Sequence, residues 1–414
     1  MGSMPAEPLY GRRRLSRRVA FVVGSATLIL TFLASGTPIP LYSTYRLEDG
    51  ITNSGLALTT VVYFTMTALS LLLLGRLSNH LGRLPVGVAA LLSSIAGGLV
   101  LMHAAALPVL VVGRALQGIA CGVASSALGS YVIDTAPEAP RWLAALITSI
   151  VPPLAVPLGA LLSGAIVEYG PAPRVLTYSI VVCALAVGVA LLLACPESVE
   201  RRDPSVALRT LRPQVRVPAG AGRPLFVAGT VAVATWSLGG FFQAFAPSLT
   251  ADRLGTENTL VVALVFASLS VLSPIGGVLT GRLRPAPSVC LGLGLFATCA
   301  LVVALAVRSG TIVPFLVASF AAGIGQGIAS AGGMRGVLAR TDADDRAGVL
   351  ATIFLISYCG AAVPGLITSR LAGHVSLVHI TFGYTVLVVI ASALAMLASR
   401  TPPTRLDAPA VEPG

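Results

Sequence analysis

Apolar stretches of membrane-spanning length recur twelve times in this sequence, at 19–41, 54–76, 86–104, 107–132, 142–166, 175–195, 224–248, 258–280, 288–307, 312–334, 347–369 and 378–398. A helix needs roughly 20 residues to cross a hydrocarbon core about 30 Å thick. Lipid offers no hydrogen bonds, so each crossing must satisfy its backbone internally. Long continuous apolar runs therefore specify helices, and the chain is expected to be an all-α membrane protein with twelve transmembrane helices. Hydrophobic residues make up 55 % and charged residues 10 %, against about 25 % charged in soluble domains. That balance excludes an ordinary soluble enzyme.

The chain also repeats itself at about half its length. Gln117-Gly118-Ile119-Ala120 recurs as Gln326-Gly327-Ile328-Ala329, at an offset of 209. Gly75-Arg76-Leu77 recurs as Gly281-Arg282-Leu283, at 206. The stretch from Pro40 to Arg46 and Leu47 recurs in outline from Pro247 to Arg253 and Leu254, at 207. Three matches in one order argue for a duplicated six-helix unit. The expected organisation is a tail (1–18), a first half (19–195), a linker (196–223), a second half (224–398) and a second tail (399–414). Asp203-Pro204 has the form of a helix start, so the linker is read either as a short helix lying on the membrane or as an irregular connection.

Arginine sets the orientation. All 27 basic residues are arginine. With the N-terminus inside, twenty-one fall in the inner loops and tails, five in outer loops (Arg46, Arg174, Arg253, Arg308, Arg370) and one, Arg114, within a span. This is the positive-inside pattern, which predicts both termini in the cytoplasm and a place in the cytoplasmic (inner) membrane. The net charge of +11 then attracts anionic lipid headgroups, and nucleic acid is not an expected partner. The first apolar stretch is too long for a cleaved leader and is read as a retained span. The six cysteines lie in or at the ends of spans without metal-ligand spacing, so no metal or cofactor is expected.

Three motifs give the chain a family likeness. After the second span stands Gly75-Arg-Leu-Ser-Asn79-His-Leu-Gly82-Arg83. The fourth span reads Leu110-Val-Val-Gly-Arg114-Ala-Leu-Gln117-Gly118-Ile-Ala-Cys-Gly122. The fifth carries Pro152, Pro153 and Pro157 and then Gly159-Ala160-Leu-Leu-Ser-Gly164. With the repeat and the helix count, these resemble the major facilitator superfamily over nearly the whole chain, and Ser357-Tyr358-Cys-Gly360-Ala-Ala-Val-Pro364 in the eleventh span resembles its drug-efflux-like branch, so the chain looks like a twelve-helix drug:proton antiporter. The resemblance implies the major facilitator fold, with two six-helix halves around a central path. It implies secondary active transport of a small organic compound, here export by proton antiport with alternating access, performed by a monomer that is not an enzyme. A facilitator, or an importer of a sugar-like or amino-acid-like solute, is the rival within transport. A membrane sensor or scaffold is the rival outside it.

Residue roles follow from the same resemblance. Gly75, Asn79, Gly82 and Arg83 match the family's gating loop, and Pro157, Gly159 and Gly164 match in part its kinked fifth helix, whose signature proline falls where Ala160 stands while the prolines here lie earlier. The family has an acidic residue where Asn79 stands, so the latch is expected to be weaker here. Arg114 matches an arginine tied to proton coupling, and it is the sole Asp, Glu, Lys or Arg read clearly inside a span. A central charge costs about 2.5–3.5 kcal/mol on insertion scales and calls for a wet cavity or a polar partner. Carboxylates are confined to loops, tails and span ends. Proton carriers are therefore expected near the ends, at Asp134 or Glu168, or on the substrate itself. Candidate substrate contacts are Thr31, Gln117, Trp236, Gln326 and Tyr358 near the midplane, with Tyr63, Phe241, Phe242 and Gln243 toward one face. Aromatic surface with few charges suits an amphipathic organic substrate.

Overall fold

The computed structural model describes residues 15–140, 142–199, 222–342 and 345–400. The linker helix expected at Asp203-Pro204 lies outside them. Twelve helices are long and apolar enough to cross a membrane. They are α1 (Arg17–Leu47), α2 (Asn53–Leu74), α3 (Arg83–Met102), α4 (Leu107–Thr135), α5 (Trp142–Tyr169), α6 (Pro173–Leu193), α7 (Gly222–Asp252), α8 (Thr259–Leu279), α9 (Pro285–Ser309), α10 (Ile312–Leu338), α11 (Gly348–Leu371) and α12 (Leu377–Arg400). Three of them carry side-chain caps at their start. Ser16 before α1, Thr52 before α2 and Asn258 before α8 each accept a backbone N–H of the first turn. Each cap satisfies a donor that the helix itself leaves open.

The described residues contain no β-strand. Helices α1–α6 form one half and α7–α12 the other. Within each half, close helix approach depends on glycine. A Cβ on Gly118 would collide with the Tyr63 carbonyl oxygen of α2, and one on its repeat mate Gly327 with the Ser273 carbonyl oxygen of α8. Small residues let backbones meet where lipid supplies no hydrophobic drive.

Breaks and prolines interrupt several of the helices. α1 is interrupted at Thr37, between Arg17–Gly36 and Pro38–Leu47. α8 is interrupted between Thr259–Ser268 and Ser273–Leu279. α5 contains Pro152, Pro153 and Pro157, and α7 contains Pro247. A proline inside a helix lacks an N–H and leaves a carbonyl four residues earlier without its helical donor. The first span runs beyond residue 41, because its proline-rich end continues as a second helical piece to Leu47.

The chain enters α1 and leaves α12 on one side, here the entry side; the other is the far side. The far side joins the halves. Arg46 forms a two-pronged ion pair with Asp252. Ser248 donates to Asn53 Oδ1 at 2.7 Å, and Ser54 donates to the Ser369 carbonyl. Glu168 accepts from the Thr259 backbone N–H at 2.8 Å and from its hydroxyl at 2.9 Å. On the entry side, Arg83 and Arg335 find partners within their own half: Arg83 on Asp134, and Arg335 on the Thr280 carbonyl.

Candidate functional site

The centre of the molecule is organised by the break in α1. Pro38 has no N–H to give the Ala34 carbonyl. Gln117 Nε2 donates to that oxygen instead, at 2.9 Å, and the Thr37 hydroxyl adds a second bond at 2.7 Å. Arg114 Nη1 donates to the neighbouring Ser35 carbonyl at 2.8 Å and to Gln117 Oε1 at 2.7 Å. The spacing of three places Arg114 and Gln117 on one face of α4. That face is pinned to the buried carbonyls at the α1 break.

Arg114 is wholly buried. Its guanidinium carbon lies 4.3 Å from the centre of the Tyr63 ring, a cation–π contact. The Tyr63 hydroxyl donates to Ser35 Oγ at 3.3 Å. Nε and Nη2 of Arg114 have no hydrogen-bond partner. No carboxylate among the described residues lies within ion-pair distance of it. An unpaired buried charge is costly, so this edge of the guanidinium is a place that an anion or water would satisfy.

Beside it stands an aromatic wall shared by the halves. Trp236 of α7 meets Tyr358 of α11 edge-on at 5.0 Å, and both approach Phe64 of α2, at 6.4 and 6.2 Å. Phe64 in turn lies 5.3 Å from Tyr63. Trp236 is half-buried, the others buried. Thr31 is buried, with its hydroxyl on the Thr27 carbonyl and its own carbonyl facing Cys121 Sγ.

The second half departs from the first. The offset of 209 that pairs Gln117 with Gln326 pairs Arg114 with Gly323. Gln326 therefore has no arginine one turn away, and its Oε1 is buried without a partner. Gln243 Nε2 is likewise buried and unpartnered. At 100° per residue, Gln243 falls within about 20° of Trp236 on α7, whereas Phe241 and Phe242 fall about 140° and about 120° away. Those two rings pack inside the second half instead. Phe241 contacts Tyr384 at 4.9 Å, and Phe242 stacks on Phe315 at 5.4 Å. Phe64, rather than either of them, completes the central aromatic wall.

The expected gating residues fall into two places. Gly82 has φ +102°, a conformation that L side chains rarely adopt, and a Cβ there would meet the Glu197 carboxylate. Glu197 accepts the Arg83 and Leu84 backbone N–H groups at 2.9 and 3.0 Å, capping α3. Arg83 also reaches Ser78, Asn79 and, at 3.2 Å, Asp134. The carboxylate facing Arg83 thus comes from α4, although position 79 has none. Gly75 offers its carbonyl to Ser126. In α5, Gly159 lies against the Leu33 carbonyl of α1, and Gly164 against Thr259 and Ala263 of α8. Pro157 is buried on the same helix.

Asp134 and Glu168 do not join Arg114. One belongs to the entry-side cluster and the other to the far-side junction. Sequence reasoning missed Phe64, Ser35, Glu197 and the Arg46–Asp252 pair. The closely spaced Pro38 and Pro40 were the available signal for the α1 carbonyls.

Two six-helix halves around a buried polar and aromatic centre define a membrane transporter. The chain belongs to the Major Facilitator Superfamily, whose family model matches residues 24–255. The sequence matches no curated protein. Its fold is similar to a bacterial homolog of the human lysosomal transporter Spinster, solved in an inward-facing and unoccupied conformation, at a TM-score of 0.73, with 15% identity, covering 93% of this chain and 97% of that one. It is also similar to a POT family transporter in complex with 5-aminolevulinic acid, at a TM-score of 0.68, with 13% identity, covering 92% and 94%.

Proposed function

We propose that the protein is a secondary active transporter that exports a small organic compound across the cytoplasmic membrane by proton antiport. The observation that carries this reading is the central site, where Arg114 has two free donors beside an aromatic wall drawn from both halves. Alternating access requires the far-side junction to open and the entry side to close around that site. The arginine bias supports cytoplasmic termini. A monomer in contact with membrane lipids and protons is sufficient for the cycle.

Proton coupling rests on the motif around Arg114, on Glu168, which joins the two halves at Thr259, and on Asp134, which holds Arg83 within the first half. Flux in proteoliposomes, with pH and voltage gradients imposed one at a time, tests it. A pH gradient at zero voltage should drive transport, and Asp134→Asn or Glu168→Gln should reduce it. Equal flux with and without the gradient would favour the second reading, a facilitator. That reading is supported by the lack of a carboxylate within ion-pair distance of Arg114 among the described residues.

A further inference from the structure

The two free donors of Arg114 are not an arbitrary pair. Nε and Nη2 form one side edge of the planar guanidinium, and their N–H bonds run nearly parallel. Nη1, the remaining nitrogen, is held by Ser35 and Gln117. Tyr63 covers one face of the group. The unpartnered N–H bonds lie in the guanidinium plane, so a partner meets them edge-on. Two parallel donors of this kind match the two coplanar oxygens of a carboxylate.

We infer that the transported compound is an organic carboxylate with an aromatic or aliphatic body, held by Arg114 through Nε and Nη2. This rests on the transport reading above. The charge pattern supports one anionic group. Gly323 takes the equivalent place in the second half, so no second arginine is supplied by the repeat. A cation would meet a buried guanidinium with no carboxylate within ion-pair distance among the described residues, whereas a monoanion neutralises the site. Phe64, Trp236 and Tyr358 supply apolar surface for the rest of the molecule.

The test is equilibrium binding to the full chain in detergent, read from Trp236 fluorescence in a Trp142→Phe background. Trp142 is the other of the two tryptophans and is exposed. The probes are a panel of arylalkyl carboxylates, each matched to its primary amide and its ammonium analogue. The expected result is that carboxylates bind about tenfold or more tighter than both analogues. Arg114→Gln should abolish that preference and leave amide binding measurable. If Arg114→Gln does not fold, the preference in the parent chain and its loss as the ligand is protonated at low pH still decide the matter. Equal or tighter binding of the amide or ammonium series, or no carboxylate preference anywhere in the panel, overturns the inference. Carboxylate-selective binding with no flux of any member of the panel in proteoliposomes would overturn the transport reading, and with it the carboxylate as cargo, and leave the anion site at Arg114 standing.

Discussion

Arg46 and Asp252 close the far side of the molecule through two parallel hydrogen bonds, Nη1 to Oδ2 at 2.9 Å and Nη2 to Oδ1 at 2.7 Å. One residue lies at the end of α1 and the other ends α7. The repeat mate of Arg46 is Arg253, which stays within its own half and caps α9 through the Val307 and Arg308 carbonyls. In the first half a comparable bond, to the Ala104 carbonyl after α3, comes from Arg174. Arg46 is thereby free to reach across.

Asp252→Asn is expected to weaken this junction and raise the share of molecules open on the far side. The pair is partly exposed, so its contribution is at most about 1 kcal/mol, a shift of up to about fivefold in population. Distances between spin labels on the far-side ends of α1 and α7 would report it. An unchanged distribution would show that the pair does not hold the halves together.

Arg114→Ala should insert normally and lose most coupled transport. Arg114→Lys should fail as well, because an ammonium cannot hold the Ser35 carbonyl and Gln117 while presenting a planar edge. Flux of a radiolabelled substrate, normalised to protein in the membrane, is the measurement. Near-normal flux in either variant would show that the guanidinium edge is dispensable.

Pro38→Ala restores an N–H that can compete for the Ala34 carbonyl. The α1 break should tighten and Gln117 should lose its partner. Transport is expected to fall while thermal stability is kept or rises, since a helical hydrogen bond is regained. A fall in stability matching the fall in transport would argue for a purely structural proline.

Asn79→Asp adds a charge beside Arg83, which already faces Asp134. The entry-side cluster should become stronger and the balance between entry-side-open and entry-side-closed states should shift. Spin-label distances between the two halves on the entry side would show the shift, and identical distance distributions would make position 79 neutral.

The span count and the duplicated halves were legible in the sequence because lipid demands long apolar helices and because duplication leaves matching motifs. Arg114 and Gln117 stood out for a related reason: a charge and an amide inside a span need partners, and their spacing puts them on one face. Their actual partners depended on another helix. The Ser35 and Ala34 carbonyls carry no side-chain signature, and only the approach of α1 to α4 brings them into reach. Phe241 and Phe242 read as cavity aromatics, but the rotation of α7 turns them into the second half and leaves Phe64 at the centre. Asp134 and Glu168 were legible as span-end carboxylates, and only the packing of loops and helix ends set them against Arg83 and Thr259. Local chemistry and periodicity thus determined which segments cross the membrane and which polar groups must be satisfied there. Tertiary structure decided which groups satisfy them, because a helix face acquires its meaning from the helix packed against it.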